Sequence, residues 1–192
     1  MTESASTPRL RATFAIYVAL VAATAVVGPV DVTPATYYAT GIAGFLCVAA
    51  ACLGRVWCSV FIAGHKDERL VTTGPYASCR HPLYALSILG AFGLGLMTRS
   101  VLLCVAATLL IAALVVYAAS GEEQFLADAF PDAYSAYVAA TPNRWWPRKL
   151  HSTAPETLDV LPQVYWKAFL DAGSFFVLWL LVAIATEFRL AA

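Results

Sequence analysis

Charge is what this sequence has least of. Only 12% of its 192 residues are Asp, Glu, Lys or Arg, about half the roughly 25% of an ordinary soluble domain. There are three histidines, two methionines and, among the basic residues, far fewer lysines than arginines. Twelve acidic and twelve basic residues cancel, so no bulk field draws in an oppositely charged partner, and a nucleic-acid binder is excluded. The five cysteines are odd in number and contain no C-x-x-C spacing, which excludes a disulfide framework and a zinc site. Cys47, Cys52 and Cys104 lie in apolar runs, where a thiol acts as a small hydrophobe. Cys79 stands beside Arg80 and His81, where a nearby cation can lower a thiol's pKa, but an inert thiol is the favoured reading. What is abundant is apolar: 60% of the chain is hydrophobic, with a mean hydropathy of +0.72. Neither a disordered chain nor a soluble enzyme has this composition. An integral membrane protein does.

About 20 apolar residues cross a bilayer as a helix. The uncharged runs, the last of them (172–186) extended backwards past Asp171, predict an all-α, polytopic membrane protein of about five transmembrane helices, at residues 12–30, 33–54, 83–98, 100–120 and 168–187, in a single domain. The third run is short, and with the fourth it forms a hairpin across Thr98–Arg99–Ser100. Arg9 and Arg11 ahead of the first run resemble a signal peptide, but further spans follow, so it is read as an uncleaved helix. With the N-terminus in the cytoplasm, Arg9, Arg11, Arg55, Lys66, Arg69, Arg80, Arg144, Arg148, Lys149 and Lys167 lie inside, and only Arg99 and Arg189 outside. This bias fits the positive-inside rule. Residues 65–82 and 122–167 then form the cytoplasmic segments, and any site built from them opens to the cytoplasm; the excess of Arg over Lys and the abundance of Ala point to a GC-rich bacterial genome, and so to a bacterial inner membrane.

Three polar segments carry chemistry. In Leu70–Val71–Thr72–Thr73–Gly74–Pro75–Tyr76, followed by Arg80–His81–Pro82–Leu83–Tyr84, the Gly–Pro pair marks a turn. Pro82 keeps His81 out of helical geometry and suits the first turn of the next helix. Arg80 and His81 thus approach a helix whose free N–H groups favour an anion. The bland alternative is an interfacial loop with an aromatic belt. Glu122 and Glu123 follow a long uncharged run, where two carboxylates oppose the macrodipole of a helix end and ionisable groups are functional candidates. The alternative is that the chain continues as a surface helix to Ala129. The third segment, Phe130 to Tyr137 and then Thr141–Pro142–Asn143–Arg144–Trp145–Trp146–Pro147, alternates aromatic and polar residues as a headgroup-level segment does.

In order, L-V-T-x-G-P-Y-x-x-x-R-H-P-x-Y, a helical hairpin, E-E and F-x-x-x-Y-x-x-Y resemble the integral membrane methyltransferases typified by isoprenylcysteine carboxyl methyltransferase and the phospholipid N-methyltransferases. The resemblance covers residues 68–147. It implies S-adenosylmethionine as cofactor, held at the cytoplasmic face by Glu68, Arg69, Leu70, Val71, Tyr76, His81, Pro82, Leu83, Tyr84, Glu122 and Glu123. It also implies a lipophilic or lipidated acceptor, an isoprenylcysteine-type carboxylate or another lipid O, N or S atom, that enters from the bilayer. One turn before the paired Glu, the isoprenylcysteine enzymes are expected to carry a basic residue for the substrate carboxylate. This chain has Ala118 there, which leaves Arg80 and Arg144 as the basic candidates beside Glu122 for catalysis. No metal ligand is implied. Two other readings stand beside this one: a membrane reductase of related fold, and a non-enzymatic scaffold or transport subunit. Gly90, Gly93 and Gly95 either shape a lateral opening for the acceptor or let helices pack closely, and the second is favoured.

Overall fold

The computed structural model describes residues 3–27, 33–63, 69–147, 157–158 and 160–191. They are all-α, with no strand among them. Seven helices follow in order: α1 Glu3–Val26, α2 Pro34–Ile62, α3 Pro75–Ser78, α4 Pro82–Met97, α5 Val101–Ala129, α6 Pro131–Ala140 and α7 Pro162–Ala191. Proline opens five of the seven at the first position, as its fixed φ and missing N–H allow. Three helices, α2, α5 and α7, are long and apolar enough to cross a membrane; Arg11–Val26 and Pro82–Met97 are shorter apolar helices. The protein is an integral membrane protein. Its apolar side chains accordingly face outward as well as inward: Phe14, Leu46, Leu109 and Tyr117 are all exposed.

The bundle is centred on α4, which packs against α2, α5 and α7, while α1 fills the space between α5 and α7. Val48, Ala91, Leu94, Ala107 and Ile111 form the middle of the core, closed by Tyr17 and Phe175. Small residues set the closest approach. A Cβ on Gly93 would stand 2.8 Å from the carbonyl oxygen of Gly44, and one on Gly95 would stand 2.6 Å from Cα of Cys104. These two glycines are packing residues, not an opening. A Cβ on Gly90 would strike the ring of Phe175 at 2.2 Å.

α4 and α5 turn on three residues. Thr98 Oγ1 donates to the Gly95 carbonyl (2.7 Å), Arg99 takes a left-handed φ of 58°, and Ser100 caps α5 by accepting from Leu103 N (3.4 Å). Arg189 near the end of α7 donates to the carbonyls of Thr24, Val27 and Thr98, so it satisfies groups that the ends of α1 and α4 leave open. Arg99 covers the ring of Tyr37, its guanidinium carbon 4.4 Å from the centroid, and the Tyr37 hydroxyl donates to Glu187. Arg99 and Arg189, the two basic residues assigned to one side of the membrane, therefore share one end of the bundle.

At the other end the structure departs from the sequence in one respect. Glu122 and Glu123 are not at a helix terminus: α5 runs through them unbroken to Ala129, and its C-cap is Phe130, ahead of Pro131. Gln124 to Ala129 are mostly good helix formers, and Gly121 meets nothing within 4 Å of where a Cβ would stand. The opposition of charge and macrodipole expected from the sequence does not apply seven residues before the end, since that effect is confined to the last turn.

Candidate active site

Local chain geometry places the polar residues. Gly74 has φ 61° and lies against Phe61, whose ring atoms would be 2.3–2.6 Å from any Cβ there; only glycine makes this turn. Pro75 then starts the single turn of α3, which buries Tyr76. The Tyr137 hydroxyl, on α6, donates to the Tyr76 carbonyl at 2.7 Å. Next, the extended pair Arg80–His81 lies along the chain at Asn143–Arg144. The Arg80 amide donates to Asn143 O and the His81 amide to Arg144 O, both at 3.0 Å. The third polar segment is thereby stitched to the first, and Pro82 begins α4 beneath them.

The two adjacent carboxylates have separate fates. Glu123 is taken up by the protein: its Oε1 stands 2.9 Å from His81 Nε2 and 3.8 Å from Arg80 Nη2, and its Oε2 3.0 Å from Arg144 Nη2. Arg144 also donates to Ser120 Oγ at 3.1 Å and lies over the Trp145 ring. His81 is buried, stacked on Tyr84 with ring centroids 5.6 Å apart and tilted against Trp145 at 5.5 Å. Glu122, by contrast, makes no hydrogen bond or ion pair among the described residues, and its side chain lines a cavity.

That cavity, about 720 Å³, runs between α1, α2, α4, α5 and α7. Tyr76, Arg80, His81, Tyr84 and Glu122 line one end. Deeper walls are apolar, from Ile111, Val115, Phe175 and Leu178, with Tyr17, Ser87, Arg55 and Asp171 set among them. A smaller cavity of about 50 Å³ adjoins it, lined by Arg69, Leu70, Val71, Tyr76, Arg80, His81 and Glu122. Of the residues singled out by sequence, the structure brings Arg69, Leu70, Val71, Tyr76, Arg80, His81, Leu83, Tyr84 and Glu122 onto these two cavities. Pro82 is buried behind them as the first residue of α4. Arg144 and Glu123 form the ion pair beside the cavities without lining either. Glu68, like Lys66, Arg148 and Lys149, lies outside the described residues.

The groups present suit an aminoacyl nucleoside such as S-adenosylmethionine. The Tyr76 hydroxyl is buried without a hydrogen-bond partner, Glu122 is an uncommitted carboxylate, and Arg80 supplies positive charge. Burial pushes the Tyr76 phenol well above its ordinary pKa, so it remains a neutral donor. Cys79, beside two basic residues in sequence, is not an activated thiol. Its side chain is 2% exposed, and burial pushes the thiol up to about 11. The cation beside it in sequence, Arg80, is turned toward Glu123. Among the described residues no three His, Cys, Asp or Glu side chains are grouped to hold a metal ion.

Sequence reasoning treated Arg55 as a charge that orients the chain and Asp171 as an interruption of an apolar run. Both are cavity residues, and they pair with each other. The signal was there, since opposite charges in two apolar helices have reason to meet.

Residues 38–133, half of the chain, match the model of the phospholipid methyltransferase family. Two curated relatives are the cobalt-zinc-cadmium resistance protein CzcN of Cupriavidus metallidurans, 48% identical over 101 residues, and the nickel-cobalt-cadmium resistance protein NccN of Alcaligenes xylosoxydans xylosoxydans, 45% identical over 101 residues. Each alignment covers 52% of this chain, and 45% and 46% of the respective relative. The matched region therefore spans a little under half the length of either relative. No solved structure matches the chain.

Proposed function

The chain belongs to the phospholipid methyltransferase family, and from that premise we propose that it transfers a methyl group from S-adenosylmethionine to a lipophilic acceptor that enters from the bilayer. One observation carries this reading: a single cavity joins a polar end, at Tyr76, Arg80, His81 and Glu122, to an apolar interior between membrane helices. A water-soluble cofactor and a lipid-soluble acceptor need such a junction. With the N-terminus in the cytoplasm, as the distribution of Lys and Arg favours, the polar end faces the cytoplasm, where the cofactor is made.

S-adenosylmethionine, when bound, supplies a methyl group already activated by its sulfonium, so the protein's task is alignment more than proton transfer. Glu122 accepts hydrogen bonds from the cofactor's ammonium or ribose. Arg80 and the N-terminal amides of α4 face its carboxylate. Tyr76 donates its unpartnered hydroxyl, and the Tyr84 ring gives a face for the adenine or the sulfonium. The His81–Glu123–Arg144 group holds the start of α4 against α5 and so fixes the distance across the polar end. The apolar walls exclude water from the acceptor's reacting atom, which raises the reactivity of an anionic nucleophile. Of the two candidates for the role open at Ala118, Arg80 lines the cavity, whereas Arg144 lines neither cavity and is held by Glu123 and Ser120, so Arg80 is the one placed to take it over.

The test is S-adenosylhomocysteine binding to the purified protein, followed by methyl-labelled S-adenosylmethionine with a total lipid extract of the host. Saturable binding and labelled lipid support the reading. Label released by base as methanol identifies an ester, and label retained identifies N, S or ether transfer. Absence of both binding and incorporation would favour a scaffold.

A further inference from the structure

An ion pair sits where a lipid acceptor would lie. Arg55 is two turns before the end of α2 and Asp171 is in the third turn of α7. Their side chains meet through Arg55 Nη2 and Asp171 Oδ2. Arg55 Nη1 also donates to Ser87 Oγ at 2.5 Å, and the guanidinium lies 5.4 Å from the centroid of the Phe175 ring. All four residues line the main cavity. Arg55 is 17% exposed in its side chain and Asp171 53%, so the pair is no closed strut: the carboxylate opens on the cavity, and only one of its oxygens is engaged by Arg55. Ionisable groups among membrane helices are costly and mark the place where something polar is handled. Asp171 lies on α7, outside the residues that match the family, whereas Arg55 and Ser87 lie within them.

We infer that Arg55 and Asp171 form a second polar subsite in the acceptor channel, which selects acceptors carrying an uncharged hydrogen-bonding group, a hydroxyl above all, apart from the reacting atom. This rests on the methyltransferase reading for the identity of the polar end as the site of reaction. The selection follows from charge. The pair is neutral as a whole, and a hydroxyl donates to the free oxygen of Asp171 while accepting from Arg55. A carboxylate or phosphate at that depth meets the Asp171 charge, and an ammonium meets Arg55. Either adds a net charge to a weakly screened interior. Spacing follows from the helix. Six residues separate His81 from Ser87 on α4, about 9 Å of rise. The acceptor is therefore an amphiphile whose second polar group lies about 9 Å deeper than the atom that is methylated.

The experiment uses the full chain in detergent micelles and four probes: octane-1-thiol and its derivatives bearing a hydroxyl, a carboxylate or an ammonium on the far carbon. Binding is measured by isothermal titration with S-adenosylhomocysteine present. The unchanged protein is expected to bind the hydroxyl probe at least tenfold more tightly than the other three. Asp171→Asn, which frees Arg55, is expected to move the preference to the carboxylate, and Arg55→Gln to move it to the ammonium. The double variant keeps neutrality and hydrogen bonding, so it remains informative if a single variant leaves an unpaired charge that prevents folding. It should retain the hydroxyl preference over both charged probes. A ranking identical in all forms, or a charged probe bound best by the unchanged protein, would overturn the subsite. S-adenosylhomocysteine binding is titrated separately. If it fails while the probe ranking stands, the methyltransferase reading falls and the polar subsite does not.

Discussion

His81 Nε2 and Glu123 Oε1 stand 2.9 Å apart although 42 positions separate them in the chain. This contact, with Arg144 on the other oxygen of the same carboxylate, assigns different work to two adjacent glutamates. Glu123 fastens the start of α4 and the segment after α6 to α5. Glu122, one residue earlier and rotated about 100° around the helix, is left to the cavity. The difference can be measured. Glu122→Gln is expected to weaken S-adenosylhomocysteine binding at least tenfold with little change in thermal stability. Glu123→Gln should lower the melting temperature, at a cost of about 1–3 kcal/mol for the charged hydrogen bonds it weakens. Equal loss of binding and unchanged melting in both variants would remove the distinction.

Cys79 should be inert in the native state. Its thiol is buried and raised to about 11 from an ordinary 9.0, so near neutral pH it is neutral and inaccessible, and iodoacetamide should modify it only on unfolding. The sign of the linkage is also fixed. The folded form keeps the proton that the unfolded form loses, so this group favours folding less as pH rises through 9 toward 11. Mass spectrometry of alkylated native protein and melting curves across that range check both statements. Rapid native labelling at neutral pH would contradict the burial.

Gly74→Ala should be among the costliest single changes in the polar end. It requires a left-handed φ and a Cβ inside the Phe61 ring contact; we expect a loss of about 2 kcal/mol or more, read as a drop in melting temperature. Since Tyr76 follows two residues later, S-adenosylhomocysteine binding should weaken as well.

Gly90→Ala tests the acceptor channel from a residue that does not line it. The added methyl displaces the Phe175 ring, which is part of the channel wall. Methylation of lipid acceptor should fall severalfold through a raised KM, while S-adenosylhomocysteine binding is retained. Loss of cofactor binding in this variant would show that the helix packing, and not the channel, had changed.

Orientation has its own test. Asp31→Cys, between the first two spans, should react with a membrane-impermeant maleimide added outside intact cells. Reaction only after the cytoplasm is opened would invert the orientation and place the polar end on the other face.

Sequence alone determined the all-helical membrane architecture and the phospholipid methyltransferase resemblance, for a local reason. Hydropathy over a run of residues decides what lipid accepts, and Pro82 after His81 or Gly74 before Pro75 constrains only its own neighbours. It also brought forward Tyr76, Arg80, His81 and Glu122, which the fold gathers onto one cavity. The run of α5 past Glu122 to Ala129 follows from its own helix-forming residues. Two matters were decided by tertiary structure. Glu122 and Glu123 have identical side chains, and only the direction each faces, toward the cavity or toward His81 and Arg144, sets them apart. Arg55 and Asp171 lie 116 positions apart on helices whose apolar patterns say nothing of register. Their pairing follows from the packing of α7 against α2 and α4, because a charge within a membrane bundle settles where its counter-charge can reach it.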